Sequence, residues 1–187
     1  MKTDNIERYL ESFGKQVVNR AKGNLQKAKG GGTNLENSIK FEVVEDVDGF
    51  AVQFYMNSYG SFVDKGVSGT NKNRSFKNYQ GKVIKSPYKF GTGSSPVSKS
   101  KGGMSGIMSK WIKKKGFQWK DKKTGRFMSH KSMGYLVARS IYRKGIQGIS
   151  FFQKPLFLGM KQFGKDLLGA VKEDIIEGLT TATTKTT

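Results

Sequence analysis

The chain has 187 residues, and its 34 Lys and Arg against 14 Asp and Glu give a net charge of +20. It has no cysteine and a single histidine, His130. That excludes disulfides, thiolate or His-rich metal sites and a cysteine nucleophile, and it leaves a Ser-His-acid triad a poor fit. Only 35% of residues are hydrophobic, but 12% are aromatic, too many for a disordered chain.

Residues 5–29 read as an amphipathic helix. Ile6, Leu10, Phe13, Val17, Ala21, Leu25 and Ala28 recur every three or four residues and so share one face. Asp4 is placed to cap it, with Glu7 completing a capping-box pattern, and Gly30-Gly31-Gly32 ends it. Ile39, Phe41 and Val43 then alternate with Lys40 and Glu42, and Phe50, Val52, Phe54 and Met56 alternate again. The pair reads as a hairpin of strands 38–44 and 50–56, turning at Asp46–Gly49, with one apolar face for the helix to cover. Tyr59–Lys65 reads as a short helical or extended segment. Residues 71–104, poor in apolar side chains, read as a long mobile loop, and the whole 67–131 insertion is expected to reach beyond its own protomer. Ser105–Lys115 reads as a short helix stopped at Gly116, and 117–127 as a small hairpin turning at DKKTG. Ser132 is placed to cap a helix over 133–144, with Leu136, Val137 and Ile141 inward. ISFFQKPL reads as a strand. A last helix over 156–179 would turn Met160, Phe163, Leu167, Val171 and Ile175 inward, and 180–187 would be a disordered tail.

The fold expected is α+β, a small antiparallel sheet packed by the N- and C-terminal helices with a long basic loop insertion. The expected divisions are 1–66 for the helix and hairpin of the core, 67–131 for the basic insertion, 132–179 for the helices completing the core, and the tail. No run approaches the roughly 18 apolar residues that read as a membrane-spanning helix. MKTDNIERYLESFGK lacks the apolar stretch of a signal peptide, so none is expected.

The charge is localised. Residues 65–144 hold 17 Lys and 4 Arg against one acid, Asp121, while the rest of the chain balances. A surface facing a polyanion (nucleic acid, anionic lipid or an acidic protein) is implied, against the plainer reading of a solvated Lys-rich loop. WIKKKGFQWKDKKTGRF interleaves aromatic and basic residues. Trp111, Phe117 and Trp119 are expected as the small core of the inserted segment. Lys113, Lys114, Lys115, Lys122, Lys123 and Arg126 are expected to face DNA or an acidic partner. No nucleotide-binding, zinc-protease or nucleophile-elbow motif is present. GTGSSP at 91–96 lacks the flanking strand and GK[ST] of a phosphate loop. His130 is expected exposed, and Asp64 and Asp121 as ion-pair partners of lysines. No catalytic, cofactor-binding or metal-binding residue is assigned, and no enzyme activity or cofactor is expected.

Three segments in order, SYGSFVDKGVSGT (58–70), KGFQWKDKKTGRFMSHKSMGYLVARSIYRKGI (115–146) and SFFQKPL (150–156), resemble structural proteins of tailed bacteriophages. They are similar to the neck and tail-completion proteins of the kind found in phage HK97. The resemblance runs from about residue 5 to 179 and departs from compact members at the 67–131 insertion. It implies a virion protein without catalytic residues, assembled in the host bacterial cytoplasm and placed at the head–tail junction. The implied partners are further copies of itself in a cyclic sixfold or twelvefold homo-oligomer, the portal or an adjacent ring, tail proteins, and packaged DNA in the lumen. No membrane partner is implied. The alternative is a free-standing nucleic-acid-binding protein using 65–144.

Overall fold

The computed structural model describes residues 3–29, 31–47, 49–91 and 103–184. Part of the glycine joint (Gly30), Asp48 of the first turn, most of GTGSSP and the last three residues therefore lie outside the described residues.

Helix α1 spans Asp4–Lys29. Leu10, Phe13, Val17, Ala21 and Leu25 are buried as their spacing requires, joined by Val18, whereas Ala28 is exposed and Ile6 only half-buried. Asp4 is the first helical residue rather than a cap. The N–H groups of Asn5 and Ile6 donate to Asp174 Oδ1 (3.0 Å) and Oδ2 (3.1 Å), so a carboxylate from the far end of the chain caps the helix.

The next element, α2 (Asn34–Ser38), was not expected. Thr33 Oγ1 accepts from the Glu36 N–H, and the buried Glu36 carboxylate accepts from Gly32 N and Gln26 Nε2. This is the capping-box chemistry of a T-x-x-E sequence.

Strands β1 (Lys40–Asp46) and β2 (Gly49–Tyr55) pair antiparallel from Lys40↔Tyr55 to Asp46↔Gly49, close to the expected hairpin. Phe41, Val52, Phe54 and Met56 pack against the buried cluster of Phe13, Val17, Val18, Ala21, Leu25, Leu35 and Ile39. Gly14 of α1 lies under the Phe41 ring, and a Cβ there would sit 2.2 Å from it. No larger residue fits that approach unless the ring moves.

Helix α3 (Gly60–Lys65) follows, as a short helix rather than an extended segment. Residues 71–91, expected as a loop reaching away, instead pack on their own chain. Strands β3 (Ser75–Lys77) and β4 (Val83–Lys85) form a second small hairpin, turned by Asn78, whose Oδ1 accepts from Gln80 N and Lys82 N. Buried Phe76 anchors it. The N–H groups of Thr70 and Asn71 donate to the carbonyls of Tyr142 and Arg143.

Helix α4 is Met104–Lys115, ended by left-handed Gly116 as expected. Helix α5 is His130–Lys144. It begins earlier than expected because Ser129, not Ser132, is the cap: Ser129 Oγ accepts from Ser132 N at 3.1 Å. Buried Met133, Gly134 and Ala138 set its inner face, with Gly134 against Ser105 and Ser109 of α4. Leu136, expected inward, is exposed. So α5 packs on α4 and does not complete the core with the last helix. Gly145, at φ 72°, ends α5, and a Cβ there would lie 2.2 Å from the Val67 carbonyl oxygen.

The segment expected as a strand, 149–156, is a turn into α6 (Gln153–Thr184). Phe152 N (2.8 Å) and Gln153 N (3.4 Å) donate to buried Asp64 Oδ1, which caps this helix. Pro155 sits in the first turn, where its missing N–H costs no bond. Helix α6 runs antiparallel to α1: Phe163 meets the Tyr9 and Phe13 rings at 5.7 and 4.8 Å, and Asn24 Nδ2 donates to the Phe151 carbonyl. Tyr9 Oη donates to the Phe163 carbonyl, and burial, then the Asp166 carboxylate, raises its pKa above the usual tyrosine value. Ala170 and Asp174 are the buried positions further along, while Met160 and Ile175, expected inward, are exposed. Helix continues through 180–184, expected as disordered tail.

The fold is thus α+β with small antiparallel hairpins flanked by the terminal helices. The chain divides into two compact units. The first holds 1–64, 77–84 and 149–187, and the second holds 65–76 and 85–148. The basic segment and α5 therefore belong together, apart from the core of α1, β1, β2 and α6.

The carboxylate cap on α1 has a direct test. Asp174→Ala is expected to cost about 1–2 kcal/mol, the usual worth of a helix cap, read as a lower unfolding midpoint in far-UV circular dichroism. Glu173→Ala, at an exposed neighbour, is expected to stay within about 0.5 kcal/mol of the parent.

Candidate functional site

The division into units sharpens the charge pattern. The first unit has 15 basic and 13 acidic residues; the second has 19 basic residues and Asp121 as its one acid. Nearly all the net charge therefore belongs to one compact body rather than to a loop.

Lys113, Lys114 and Lys115 form the last turn of α4, and all three are exposed. Cations at a helix C-terminus sit favourably against its partial negative charge. The chain then turns into the expected small hairpin. Met128 N donates to the Trp119 carbonyl, Asp121 N donates to the Arg126 carbonyl, and Lys120 pairs with Phe127. Asp121 Oδ1 accepts from Lys123 N (2.7 Å) and Thr124 N (3.2 Å), so its charge is spent on the turn that presents Lys122, Lys123 and Arg126. Those three side chains are exposed.

The aromatic residues here are not a core. Trp111 and Trp119 are 44% and 42% exposed, and Phe117 and Phe127 are also on the surface. The Trp111 and Phe117 rings lie 5.4 Å apart, and Lys120 Nζ stands 5.1 Å over the Phe127 ring. The buried apolar side chains of this unit, among the described residues, are instead Phe76, Ile112, Met133 and Ala138. Flat rings half-covered among cations can stack on bases or sugars while the cations meet phosphates.

A second basic feature was missed in the sequence. An open groove of about 500 Å³ is lined by Asn71, Leu136, Arg139, Ser140, Arg143 and Lys144. Leu136, Arg139, Ser140 and Arg143 share one face of α5 by their spacing of three and four. That spacing is legible in the sequence, but Met133 and Ala138, not the expected Leu136, form the inner face. Arg74, nearby in the same unit, is held by Gln147 Oε1 (3.1 Å) and the Gly145 carbonyl, with its Nε buried and unpartnered among the described residues.

The remaining candidates are structural. Asp64 accepts two backbone N–H groups in the first unit, and Asp121 accepts two in the second. His130 is the first residue of α5 and half-buried, not exposed. Among the described residues no three His, Asp or Glu side chains gather as a metal site, and no helix is long and apolar enough to cross a membrane.

No protein-family model, curated protein or solved structure matches this chain.

Both tryptophans of the chain lie on the basic surface. Iodide is therefore expected to quench the fluorescence strongly at low salt and caesium weakly, the contrast fading as salt screens the surface. Equal quenching by the two ions would show that the rings are not set among the cations.

Proposed function

We propose that this chain is a structural ring protein of a tailed-phage head–tail connector, set between portal and tail around the DNA channel. The observation that carries this reading is the segregation of charge. A nearly balanced helix–hairpin unit carries a second unit whose 19 cations face one acid. A ring around DNA needs a packed scaffold and a cationic surface toward DNA or an acidic neighbour.

Two further features support it. The segments that resemble the neck and tail-completion proteins meet one another within each unit. In the first unit, Asp64 of SYGSFVDKG caps the helix that begins in SFFQKPL. In the second, Val67 pairs with Ile146, and Gly69 lies against the Arg143 carbonyl. Secondly, α6 leaves Leu158, Met160, Leu168, Ile175 and Ile176 exposed, Leu168 to 70%. A further copy packed head-to-tail would cover exposed apolar side chains of this kind.

Packaged DNA alone does not neutralise such a ring. Duplex DNA carries one phosphate per roughly 1.7 Å, so a short ring encloses only some tens of phosphates. Acidic neighbouring proteins take up the balance in this reading.

Immunogold labelling of virions tests the assignment. Label at the junction of head and tail, with Leu168→Glu abolishing incorporation but not folding, is the expected result. Label on the capsid shell or tail tip, or none on virions, contradicts it.

A further inference from the structure

The α5 groove carries three cationic side chains within one and a half turns: Arg139, Arg143 and Lys144. Its walls are built rather than incidental. The N–H of Asn71 donates to the Arg143 carbonyl, and that of Thr70 to the Tyr142 carbonyl. The last carbonyls of α5 are thereby satisfied by backbone, so the basic side chains are not needed to cap them. Thr70 Oγ1 donates to Asn71 Oδ1 at 2.9 Å, which leaves the Asn71 amide nitrogen as a donor on the groove wall. Among the described residues, Arg139, Arg143 and Lys144 have no ion partner.

The plainest role for these cations is to complement the α5 dipole. That dipole presents only about half a negative charge at the helix end. Three cations exceed it by more than two charges, and the one acid of this unit is committed to the 121–124 turn. The excess calls for an external anion. Two guanidinium forks one turn apart, with Cβ atoms about 6 Å from each other, suit successive phosphates or carboxylates.

We infer that this groove is a subsite for the phosphodiester backbone of nucleic acid. Nucleic acid is favoured over an acidic peptide by what the same unit carries on the helix packed against α5. At the end of α4, Lys113–Lys115 neighbour half-exposed Trp111 and Phe117. Rings beside cations serve bases and sugars and gain nothing from carboxylates. The groove is open, as a polymer crossing it requires. Leu136 gives it an apolar floor against which a sugar can rest. The inference rests on the part of the proposed function that sets a polyanion against the second unit. It does not depend on ring formation.

The test is binding of a labelled duplex of about 30 base pairs, followed by fluorescence anisotropy over a salt series. The parent chain is compared with Arg139→Gln/Arg143→Gln, with Arg139→Lys/Arg143→Lys, and with Lys113→Gln/Lys114→Gln/Lys115→Gln. Circular dichroism checks that each variant is folded. The Gln pair is expected to bind about tenfold more weakly or worse near 0.1 M salt. Its slope of log affinity against log salt should shrink by about 1.8, or 0.9 per lost phosphate. The Lys pair should keep the parent slope. If the Gln pair binds like the parent while the triple Gln variant weakens, the groove assignment is wrong and the polyanion reading stands. If the Lys and Gln pairs weaken equally with the slope unchanged, the arginines are structural and the inference falls. Displacement of duplex by polyglutamate at equal charge makes the groove a site for acidic protein and overturns it. If the parent chain fails to bind duplex near 0.05 M salt, both the inference and the DNA part of the proposed function fail.

Discussion

Repulsion among like charges in the second unit is the constraint to which the rest of the molecule answers. Nineteen cations share a body with one carboxylate. Two unit charges 6 Å apart in water repel by only about 0.7 kcal/mol, but such terms accumulate over many pairs. Among the described residues the unit keeps all its cations but Lys65 and Arg74 exposed, and it is held by close packing and backbone hydrogen bonds. Gly134 lets α5 settle onto Ser105 and Ser109 of α4. The 67–71 strap is tied to α5 and the residues after it through Val67, Thr70 and Asn71, and Gly145 allows the closest part of that approach. A body so built is stable enough to fold, yet it gains from any polyanion that reaches it.

The first unit uses its acids differently. Its buried carboxylates, Asp64, Asp174 and Glu36, all accept backbone N–H groups at helix starts. Helix N-termini are favourable partners for buried negative charge, through oriented N–H groups and the positive dipole end. The two terminal helices are thereby locked at both ends. Asp174 on α6 fixes the start of α1, and Asp64 fixes the start of α6. Phe151, fully buried beside the Asp64 cap, ties the turn before α6 to α1 through its carbonyl.

Much of this was legible in the sequence, and the failures have physical causes. Long periodic elements read well. The 3.6-residue period of α1, the alternation of β1 and β2, the Gly116 stop and the DKKTG turn were all present in the chain itself. Caps supplied from distant sequence did not, because nothing local marks Asp174 as the partner of Asn5 and Ile6. The apolar run ISFF was ambiguous between strand and turn. Tertiary burial of both phenylalanines, with Asp64 capping the next residues, decided it. Sparse apolar content made 71–91 look like a loop. One buried aromatic, Phe76, and side-chain turns at Asn78 and Ser86 were enough to fold it back. At the candidate site the six basic residues named from sequence are all exposed. The groove on α5 has no local mark, because it is completed by Asn71, which only a tertiary contact brings to the Arg143 carbonyl.

The central claim is that the second unit folds against its own charge and awaits a polyanion. Both tryptophans report on this unit, so the midpoint of its thermal unfolding, read by their fluorescence over a sodium chloride series, measures the claim directly. Between about 0.01 and 0.15 M salt the screening length falls from about 30 to about 8 Å. The midpoint should rise across that range and rise further when duplex DNA is added at low salt. A midpoint that is flat or falls with salt, and is unmoved by DNA, would contradict the account.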